Sequence, residues 1–341
     1  MSKKLFKLLS LLLVLAMSIS FALPLGNVDA YAKKKVKINK KELNLVTGER
    51  KKLKLKNSGL ADEEITWASS NSAVARVSRH GNVTGLLKGE TTITATVNAT
   101  GKKYECHVTV EVPNPNERVI DPTKPIIALT FDDGPSIYTE GLLETLNSYG
   151  VTATFFMCND NCGSNLIPKY ADLIRAMYNS GNEIANHTMR HPQLTKCSSS
   201  KMEEEIGGNR DKIESVIGEQ DTVLLRPPYG SYNDTVKSVC VTPIILWSID
   251  TEDWKVKGQS NATDKIMELL KKEAKDGGII LMHDIHQTSC EAVKTVVPWL
   301  ISQGYQVCSV SEMFEARGIT LENGEVYSKC SVTAEQYNSQ N

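Results

Sequence analysis

From residue 124 onward, short apolar segments alternate with helical segments, and this alternation limits the possible folds more than any other feature of the chain. Seven segments have the composition of buried strands, and five others have helical periodicity. The strand candidates are 126–131, 153–157, 183–186, 224–226, 244–248, 278–282 and 306–309. The helix candidates are 141–149, 170–180, 201–217, 262–274 and 291–303. Repeated β/α units predict a parallel sheet with helices outside, and about seven strands suit a barrel better than an open sheet.

Polar residues with catalytic potential follow the strand candidates. In parallel β/α domains the functional side chains lie just beyond the carboxyl ends of the strands. The residues in that position are Asp132, His187, Arg226, Asp250 and His283. We expect them to meet at one end of the domain.

Two histidines and two aspartates among these segments suggest a catalytic metal site. His187 and His191 are four residues apart, so their imidazoles can point the same way on one helical turn. One carboxylate of the pair Asp132 and Asp133 can supply a third ligand and leave coordination positions open. The other can act as a base towards water. Adjacent side chains on an extended strand point to opposite faces, so the residues alone leave the two roles interchangeable. A tight turn that caps a helix is the alternative for the segment 132–135.

The N-terminal half has a different pattern. Residues 36–112 contain short alternating segments rich in β-branched residues and separated by turn residues. This spacing predicts an all-β sandwich of antiparallel strands. The segment 113–116, Pro-Asn-Pro-Asn, predicts a short stiff linker at the domain boundary.

The first 32 residues have the pattern of a secretory signal. Two lysines precede an apolar run over 8–23, and small residues follow near position 30. We therefore expect an exported protein, with an uncleaved membrane anchor as the alternative. A net charge of −1 gives no support for a nucleic-acid partner.

The eight cysteines permit disulfides in an exported chain. Cys158 and Cys162 are close enough to bridge a short loop. The other six can be buried thiols or further bridges, because connectivity does not follow from sequence.

Five segments in order resemble one family. They are TFDDGP at 130–135, HTMRHP at 187–192, RPPYG at 226–230, DTEDW at 250–254 and LMHD at 281–284. Over about 124–317 the chain is similar to the polysaccharide deacetylase (NodB-homology) family, carbohydrate esterase family 4. This resemblance implies a distorted (β/α) barrel and a divalent metal that serves the hydrolysis of N-acetyl or O-acetyl groups on sugars. Zn²⁺ is the first expectation for the metal and Co²⁺ the alternative.

The resemblance also implies a role for each residue around the metal. Asp133, His187 and His191 become the metal ligands, and Asp132 becomes the general base. Arg226 is expected to hydrogen-bond the base and hold it ionised and oriented.

The same resemblance makes His283 the general acid, with Asp253 as its carboxylate partner. The backbone N–H of Tyr229 is expected beside the developing oxyanion, while Trp254 and Leu281 form an apolar pocket around the acetyl methyl group. Three further residues have less direct expectations: Asp250 and Asp284 are structural, and His286 is a loop or helix-start residue or a substrate contact.

Residues 35–113 are similar to the bacterial Ig-like group 2 domain, on the segments 67–77 and 81–95. This resemblance implies presentation at a cell surface, with contact to the cell envelope, and no chemistry. The predicted organisation is a signal peptide (1–32), the Ig-like domain (35–113), a linker (114–123), the deacetylase domain (124–317) and an irregular or partly ordered extension (318–341).

Together these features predict an exported metal-dependent deacetylase that acts on an acetylated cell-wall polysaccharide, with N-acetylglucosamine of peptidoglycan as the first candidate. The alternatives are an O-acetyl esterase acting on xylan or another polysaccharide, and a non-catalytic surface protein that binds carbohydrate. A complete His283 and Asp253 pair favours amide hydrolysis, since an amine leaving group needs a proton donor more than an alkoxide does. The sequence indicates no oligomeric state.

Overall fold

The computed structural model describes residues 35–46, 49–72, 74–86, 89–111, 118–161 and 163–340. The predicted signal peptide and the start of the predicted linker lie outside these ranges. Within the described residues, no helix has the length and apolar character needed to cross a membrane.

Nine short strands build the region from 37 to 111. They are β1 (Lys37–Ile38), β2 (Glu42–Val46), β3 (Arg50–Lys52), β4 (Leu55–Lys56), β5 (Ile65–Ser69), β6 (Ala75–Val77), β7 (Asn82–Gly85), β8 (Gly89–Val97) and β9 (Lys103–Glu111). One sheet has the order β2-β9-β8-β5, another has the order β3-β7-β6, and β1 pairs with β4. The predicted all-β sandwich is confirmed. One pair departs from the antiparallel expectation: β2 and β9 run parallel, with β3 to β8 providing the crossover that a parallel pair needs.

The second region alternates strands and helices, as the sequence predicts. Its strands are β10 (Ile126–Asp132), β11 (Thr154–Met157), β12 (Glu183–Asn186), β13 (Ile244–Ile245), β14 (Ile249–Asp250), β15 (Ile279–His283), β16 (Gln306–Cys308) and β17 (Val326–Tyr327). Its helices are α1 (Thr139–Tyr149), α2 (Leu166–Lys169), α3 (Ala171–Asn179), α4 (Ser199–Ile217), α5 (Asp234–Val239), α6 (Ala262–Glu273), α7 (Gln287–Gln303), α8 (Val310–Ala316) and α9 (Ala334–Gln340).

The strands form an interrupted barrel. The main sheet has the order β12-β11-β10-β15-β14, with β16 also paired to β10, and its pairs are parallel. The predicted strand at 224–226 is reduced to a bridge at Leu225, which links β12 to β13. Pro227 and Pro228 follow directly and have no N–H to extend that ladder. The predicted strand at 244–248 is instead divided into β13 and β14, which do not pair with each other in the described part of the chain. This distorted barrel confirms the expected fold class.

Alternation along the central strands directs polar residues into the barrel. In β10, Ile127, Leu129 and Phe131 belong to the core beneath the surrounding helices. Ile126 and Ala128 belong to a second core, inside the barrel. Because side chains alternate between faces, Asp132 continues the inner row. The same reasoning places His283 on the inner face of β15, two residues after Leu281 and four after Ile279.

The register of the strands brings their carboxyl ends to one level. Asp132 pairs with His283 on one side and with Phe156 on the other. Leu281 pairs with Asp250 in β14. These parallel pairs carry the side chains that follow β10, β14 and β15 to the same end of the barrel.

The segment after residue 317 is partly ordered. Its strand β17 runs parallel to β13, and the Tyr327 ring packs against Phe314 with 5.3 Å between centroids. Cys330 is buried, and its N–H donates to Gly277 O at 2.8 Å. The segment expected to be irregular or partly ordered therefore contains docked residues next to residues without regular secondary structure. Strands of two residues carry no periodic signal, so the sequence pattern does not locate them.

Six cysteines in the described part of the chain are thiols. They are Cys106, Cys197, Cys240, Cys290, Cys308 and Cys330. Further bridges among these six, left open by the sequence, are absent. Cys162 lies outside the described residues, so its bridge to Cys158 stays a prediction.

Substitution of Gly277 tests how tightly the C-terminal segment packs against the barrel. Its φ is +78°, and a Cβ there would lie 2.4 Å from Cys330 O. We expect Gly277→Ala to lower the free energy of unfolding by about 1–3 kcal/mol, because the left-handed backbone and the clash both oppose a side chain. Denaturant unfolding measures the change.

Gly141→Ala is the matched control. Gly141 lies in α1, and a Cβ there meets no atom within 4 Å. Its replacement should leave stability unchanged or raise it by up to about 1 kcal/mol. Equal stabilities for the two variants would contradict the docking described above.

Candidate active site

The carboxyl end of the barrel brings the predicted polar residues together. Asp132 ends β10, His187 follows β12, and His283 ends β15. Arg226 follows the bridge at Leu225. All of these side chains except His283 are almost fully buried, and His283 is partly exposed towards solvent.

Asp133, His187 and His191 form a three-residue cluster with metal-ligand geometry. Their ligand atoms all lie within 4.8 Å of one another. Asp133 Oδ1 is 3.6 Å from His187 Nε2 and 3.3 Å from His191 Nε2. Donors bound to one tetrahedral ion at about 2.0–2.1 Å lie roughly 3.4 Å apart. Two imidazoles and a carboxylate with that spacing fit a divalent metal such as zinc or cobalt.

A hydrogen bond orients the imidazole of His187 for metal binding. His187 Nδ1 donates to Arg226 O at 2.6 Å, which leaves the lone pair on Nε2 directed at the cluster. Burial, and then the charge of His187, lower the pKa of His191. A neutral imidazole is the form that binds a metal.

The two histidines converge from a loop, where the sequence suggested a helical turn. Residues 187–193 are not helical, and Thr188 and His191 have φ of 70° and 61°. Pro192 disfavours the right-handed helical conformation at His191. The spacing of four residues therefore indicated the two histidines that the structure brings together. They converge because the loop turns back, and not because they share one helical turn.

Buried polar residues of α4 hold this loop. Glu205 accepts hydrogen bonds from Arg190 N at 2.8 Å and from the Arg190 guanidinium at 2.9 Å. Asn209 Nδ2 donates to Asn186 Oδ1 at 2.9 Å, and the same oxygen accepts from Thr188 N at 2.8 Å.

Sequence reasoning missed Glu205 and Asn209. Both lie four residues apart on the face of α4 that buries Met202 and Ile213. Polar residues at apolar positions of a helical pattern were the available signal, since a buried polar side chain needs a specific partner.

The backbone at Asp133 resolves the conflict between adjacent aspartates. Its φ of 76° ends the extended strand, so its side chain no longer points away from that of Asp132. Asp133 Oδ1 lies within 3.6 Å of both imidazoles, whereas Asp132 Oδ2 lies 3.6 Å from the imidazole of His187. Both carboxylates therefore face the same pocket.

Arg226 holds the other oxygen of Asp132. Its Nη1 donates to Asp132 Oδ1 at 2.6 Å and to Thr130 Oγ1 at 2.7 Å. The guanidinium lies over the Phe156 ring, 4.0 Å from its centroid, and is 0% exposed. Burial lowers the pKa of Arg226, and the charge of Asp132 opposes that effect. The pair fixes the Asp132 rotamer and leaves Oδ2 directed at the cluster.

His283 and Asp253 form the second supported pair. His283 Nδ1 donates to Asp253 Oδ1 at 2.8 Å, and His283 N donates to Asp253 Oδ2 at 2.8 Å. Burial lowers the pKa of His283, but the hydrogen bond and charge of Asp253 outweigh it and raise that pKa to about 9. Burial raises the pKa of Asp253, and its bonds with His283 more than compensate, so that pKa falls below its usual range. The paired carboxylate thus favours the histidinium form of His283.

Three predicted substrate-contact residues lie around these groups. Tyr229 is 68% exposed, and its ring meets that of His191 with 4.7 Å between centroids. Trp254 is 46% exposed and Lys255 Nζ lies 5.1 Å from the centroid of its ring. Leu281 is 4% exposed and lies on the same face of β15 as His283.

The other three residues with sequence expectations lie at or just beyond the ends of β14 and β15. Asp250 Oδ1 accepts from Glu252 N at 2.8 Å, and burial raises the Asp250 pKa. Burial also raises the pKa of Asp284, to about 7. His286 directly precedes α7, with its ring 6.2 Å from that of His283.

Two family models match the chain. Residues 120–241 match Polysaccharide deacetylase, and residues 32–108 match Bacterial Ig-like domain (group 2). The first match ends before the segments 250–254 and 281–284, so the domain limits 35–113 and 124–317 stay predictions.

Known proteins show the same relationship. Peptidoglycan-N-acetylmuramic acid deacetylase PdaC of Bacillus subtilis is 37% identical over 204 residues, which cover 60% of this chain and 42% of that protein. A peptidoglycan-N-acetylglucosamine deacetylase of Bacillus cereus is 35% identical over 216 residues, covering 61% of this chain and 92% of that protein. A family 4 acetyl xylan esterase from Clostridium thermocellum, solved with a cobalt ion, matches with a TM-score of 0.55 and 26% identity. That match covers 60% of this chain and 99% of the esterase chain.

The chain spans about two fifths of the length of PdaC and of other long relatives that it matches. The Bacillus cereus enzyme, in contrast, is matched over nearly its whole length. The chain therefore belongs to the polysaccharide deacetylase family, carbohydrate esterase family 4, and carries a bacterial Ig-like domain of group 2 ahead of its deacetylase domain.

Proposed function

We propose that the chain is an exported, divalent-metal-dependent enzyme that removes N-acetyl groups from peptidoglycan. One observation carries the proposal: a carboxylate fixed by Arg226 and a histidinium fixed by Asp253 flank the cluster of Asp133, His187 and His191. The paired positions of Asp132 and His283 on adjacent strands support their action on one bound acetamide.

Asp133, His187 and His191 would hold the metal, with Zn²⁺ as the first candidate and Co²⁺ as the alternative. When bound, such an ion polarises the acetyl carbonyl and favours deprotonation of water. The cobalt ion in the related esterase structure supports Co²⁺ as the alternative.

Asp132 is the proposed general base. Its Oδ2 faces the cluster while Arg226 occupies Oδ1, so one oxygen is oriented to take a proton from the attacking water. The buried guanidinium fixes the orientation of the carboxylate through this bond. General bases of this kind contribute about 10²–10⁴ in rate.

His283 is the proposed general acid. Asp253 engages Nδ1, which leaves the Nε2 proton for the leaving nitrogen. Proton donation there allows the amine to depart as acetate is released.

The turn after Arg226 supplies the proposed oxyanion contact. Pro227 and Pro228 have no N–H, so the first backbone donor beyond Arg226 is that of Tyr229. A donor aimed at the developing oxyanion is worth about 10²–10³ in rate. Trp254 and Leu281 are the proposed walls around the acetyl methyl group.

N-acetylglucosamine of peptidoglycan is the first proposed substrate, and N-acetylmuramic acid is the close alternative because PdaC is named for it. An esterase acting on acetylated xylan is the second candidate function, supported by the related acetyl xylan esterase. The complete His283 and Asp253 pair favours the amide. Contact with the cell envelope is the proposed role of the Ig-like domain, at a secreted or cell-surface location.

Acetate release from three polymers separates these functions. We expect the zinc-loaded enzyme to release acetate from peptidoglycan faster than from chitin oligomers or acetylated xylan, and mass spectrometry should identify the deacetylated sugar. Chelation should abolish release, and zinc or cobalt should restore it. Faster release from xylan would favour the esterase, and no release from any polymer would contradict the proposed activity.

Two substitutions separate the base from the ligands. Asp132→Asn should still bind zinc but lose about 10²–10⁴ in kcat, because the amide cannot accept the proton. His187→Ala should lose both zinc stoichiometry and kcat, because one of three ligands is gone. Metal analysis alongside kinetics measures both effects. Normal turnover of Asp132→Asn would remove Asp132 from the role of base.

The pH profile tests the acid. Because the acid must be protonated, kcat/KM should fall as the pH rises through the His283 pKa, which is about 9 without a bound metal. Asp253→Asn removes the charge that raises this pKa, so the alkaline limb should move towards or below the ordinary value of 6.5. A bound divalent cation lowers both values, so the comparison is between variants.

Glu252→Gln is the control for this shift. Glu252 is an exposed carboxylate one residue from Asp253, paired with Lys255 at 2.5 Å. Its alkaline limb should match that of the unmodified enzyme. An unmoved limb in Asp253→Asn would mean that another group sets it.

A further inference from the structure

Asp284 links the strand of the proposed acid to the segment that follows β10. It comes directly after His283, and its side chain is 1% exposed. Its Oδ2 accepts a hydrogen bond from Thr139 Oγ1 at 2.6 Å. Its main-chain oxygen accepts from Ser136 Oγ at 2.6 Å. Ser136 lies in the connection between β10 and α1, and Thr139 is the first residue of α1, so two bonds join the entry to α1 to the end of β15.

The connection is itself ordered around these two hydroxyl groups. Ser136 N donates to Thr139 Oγ1 at 2.8 Å, and Tyr138 N donates to Ser136 Oγ at 3.0 Å. Each hydroxyl therefore serves the turn and Asp284 at once. A substitution at Asp284 would therefore alter the conformation of the whole turn.

The carboxyl of Asp284 also packs against the backbone beside the proposed ligand Asp133. A Cβ on Gly134 would lie 2.2 Å from Asp284 Oδ1. On the opposite side, Asp133 N donates to Phe156 O at 3.2 Å, and Cys158 N donates to Gly134 O at 3.0 Å. The backbone that carries Asp133 is thus held between β11 and Asp284.

Fold stability alone does not account for a carboxyl group at this place. Asp284 Oδ1 is buried and has no hydrogen-bond partner among the described residues. A buried acceptor without a partner destabilises the folded state. Groups that cost stability are commonly kept where a functional site needs them.

We propose that Asp284 is a positioning residue, which sets the distance between Asp133 and His283 through its contacts with Gly134 and Thr139. Asp284 touches neither substrate nor metal in this role. It holds the ligand-bearing backbone against the end of the strand that carries the acid. The relevance of this distance to turnover rests on the proposed function, whereas its effect on metal binding does not.

The test measures metal affinity of the metal-free protein as well as turnover. Asp284→Ala and Thr139→Val should each weaken zinc binding about 10-fold, within the range typical of residues that support metal ligands. kcat should fall with little change in KM, because no substrate contact is removed. The double variant should bind zinc no more weakly than Asp284→Ala, because that single substitution already removes the bond to Thr139. Thr139→Ser keeps the hydroxyl and should retain the original affinity.

Asp276→Ala is the matched control. Asp276 is a carboxylate at the opposite end of the same two strands, where its Oδ1 accepts from Ile126 N at 2.8 Å and pairs with Arg317 at 2.8 Å. Its replacement should lower stability and leave zinc affinity unchanged.

Unchanged zinc affinity in Asp284→Ala, or equal affinities in Thr139→Val and Thr139→Ser, would overturn the proposal. The threonine pair decides the question even where Asp284→Ala fails to fold. If the unmodified protein releases no acetate while Asp284→Ala still binds zinc more weakly, the proposed function fails and the positioning role stands.

Discussion

The buried ion pair between Arg226 and Asp132 is the constraint on which the active end of the barrel depends. The strand ladder is interrupted beside β13, and Arg226 crosses this region: its Nε donates to Ile245 O at 3.2 Å and its Nη2 to Leu246 O at 3.0 Å. The same side chain reaches Asp132 at the end of β10. Removing one partner of such a pair costs about 3–5 kcal/mol, because the other charge is left buried and uncompensated. One guanidinium therefore joins the two sides of an incomplete barrel and orients a carboxylate.

The site contains two such supported pairs with opposite consequences. In one, a buried cation accompanies Asp132, the proposed general base. In the other, a buried carboxylate accompanies His283, the proposed general acid, and raises its pKa to about 9. Each of these two side chains is held by its partner through one atom and keeps a second atom directed at the pocket.

The sequence predicts the parts of this site that depend on strand ends. Asp132, His187 and His283 follow apolar strands, and parallel strands bring their carboxyl ends to one level, so their meeting follows from the pattern. The reversal of the chain at Asp133 and the loop at 187–193 depend on backbone conformations that the pattern does not encode.

Long-range partners were equally hidden from the sequence. Glu205 and Asn209 support the histidine loop from a helix, and no local signal pairs them with it. The C-terminal strand β17 gains its stability from β13 and Phe314, far away in sequence. Tertiary contacts therefore determine the partners of these residues, which local periodicity does not predict.

The buried cysteines have a consequence for the conditions under which this barrel holds together. Burial raises the pKa of the Cys290, Cys308 and Cys330 thiols, and Cys308 is fully enclosed. Oxidation and disulfide exchange proceed through the thiolate, which these environments suppress. These three thiols pack as small apolar groups without cross-links, so their contribution to the core requires no oxidant. That contribution is the same on either side of a redox boundary such as the cell membrane.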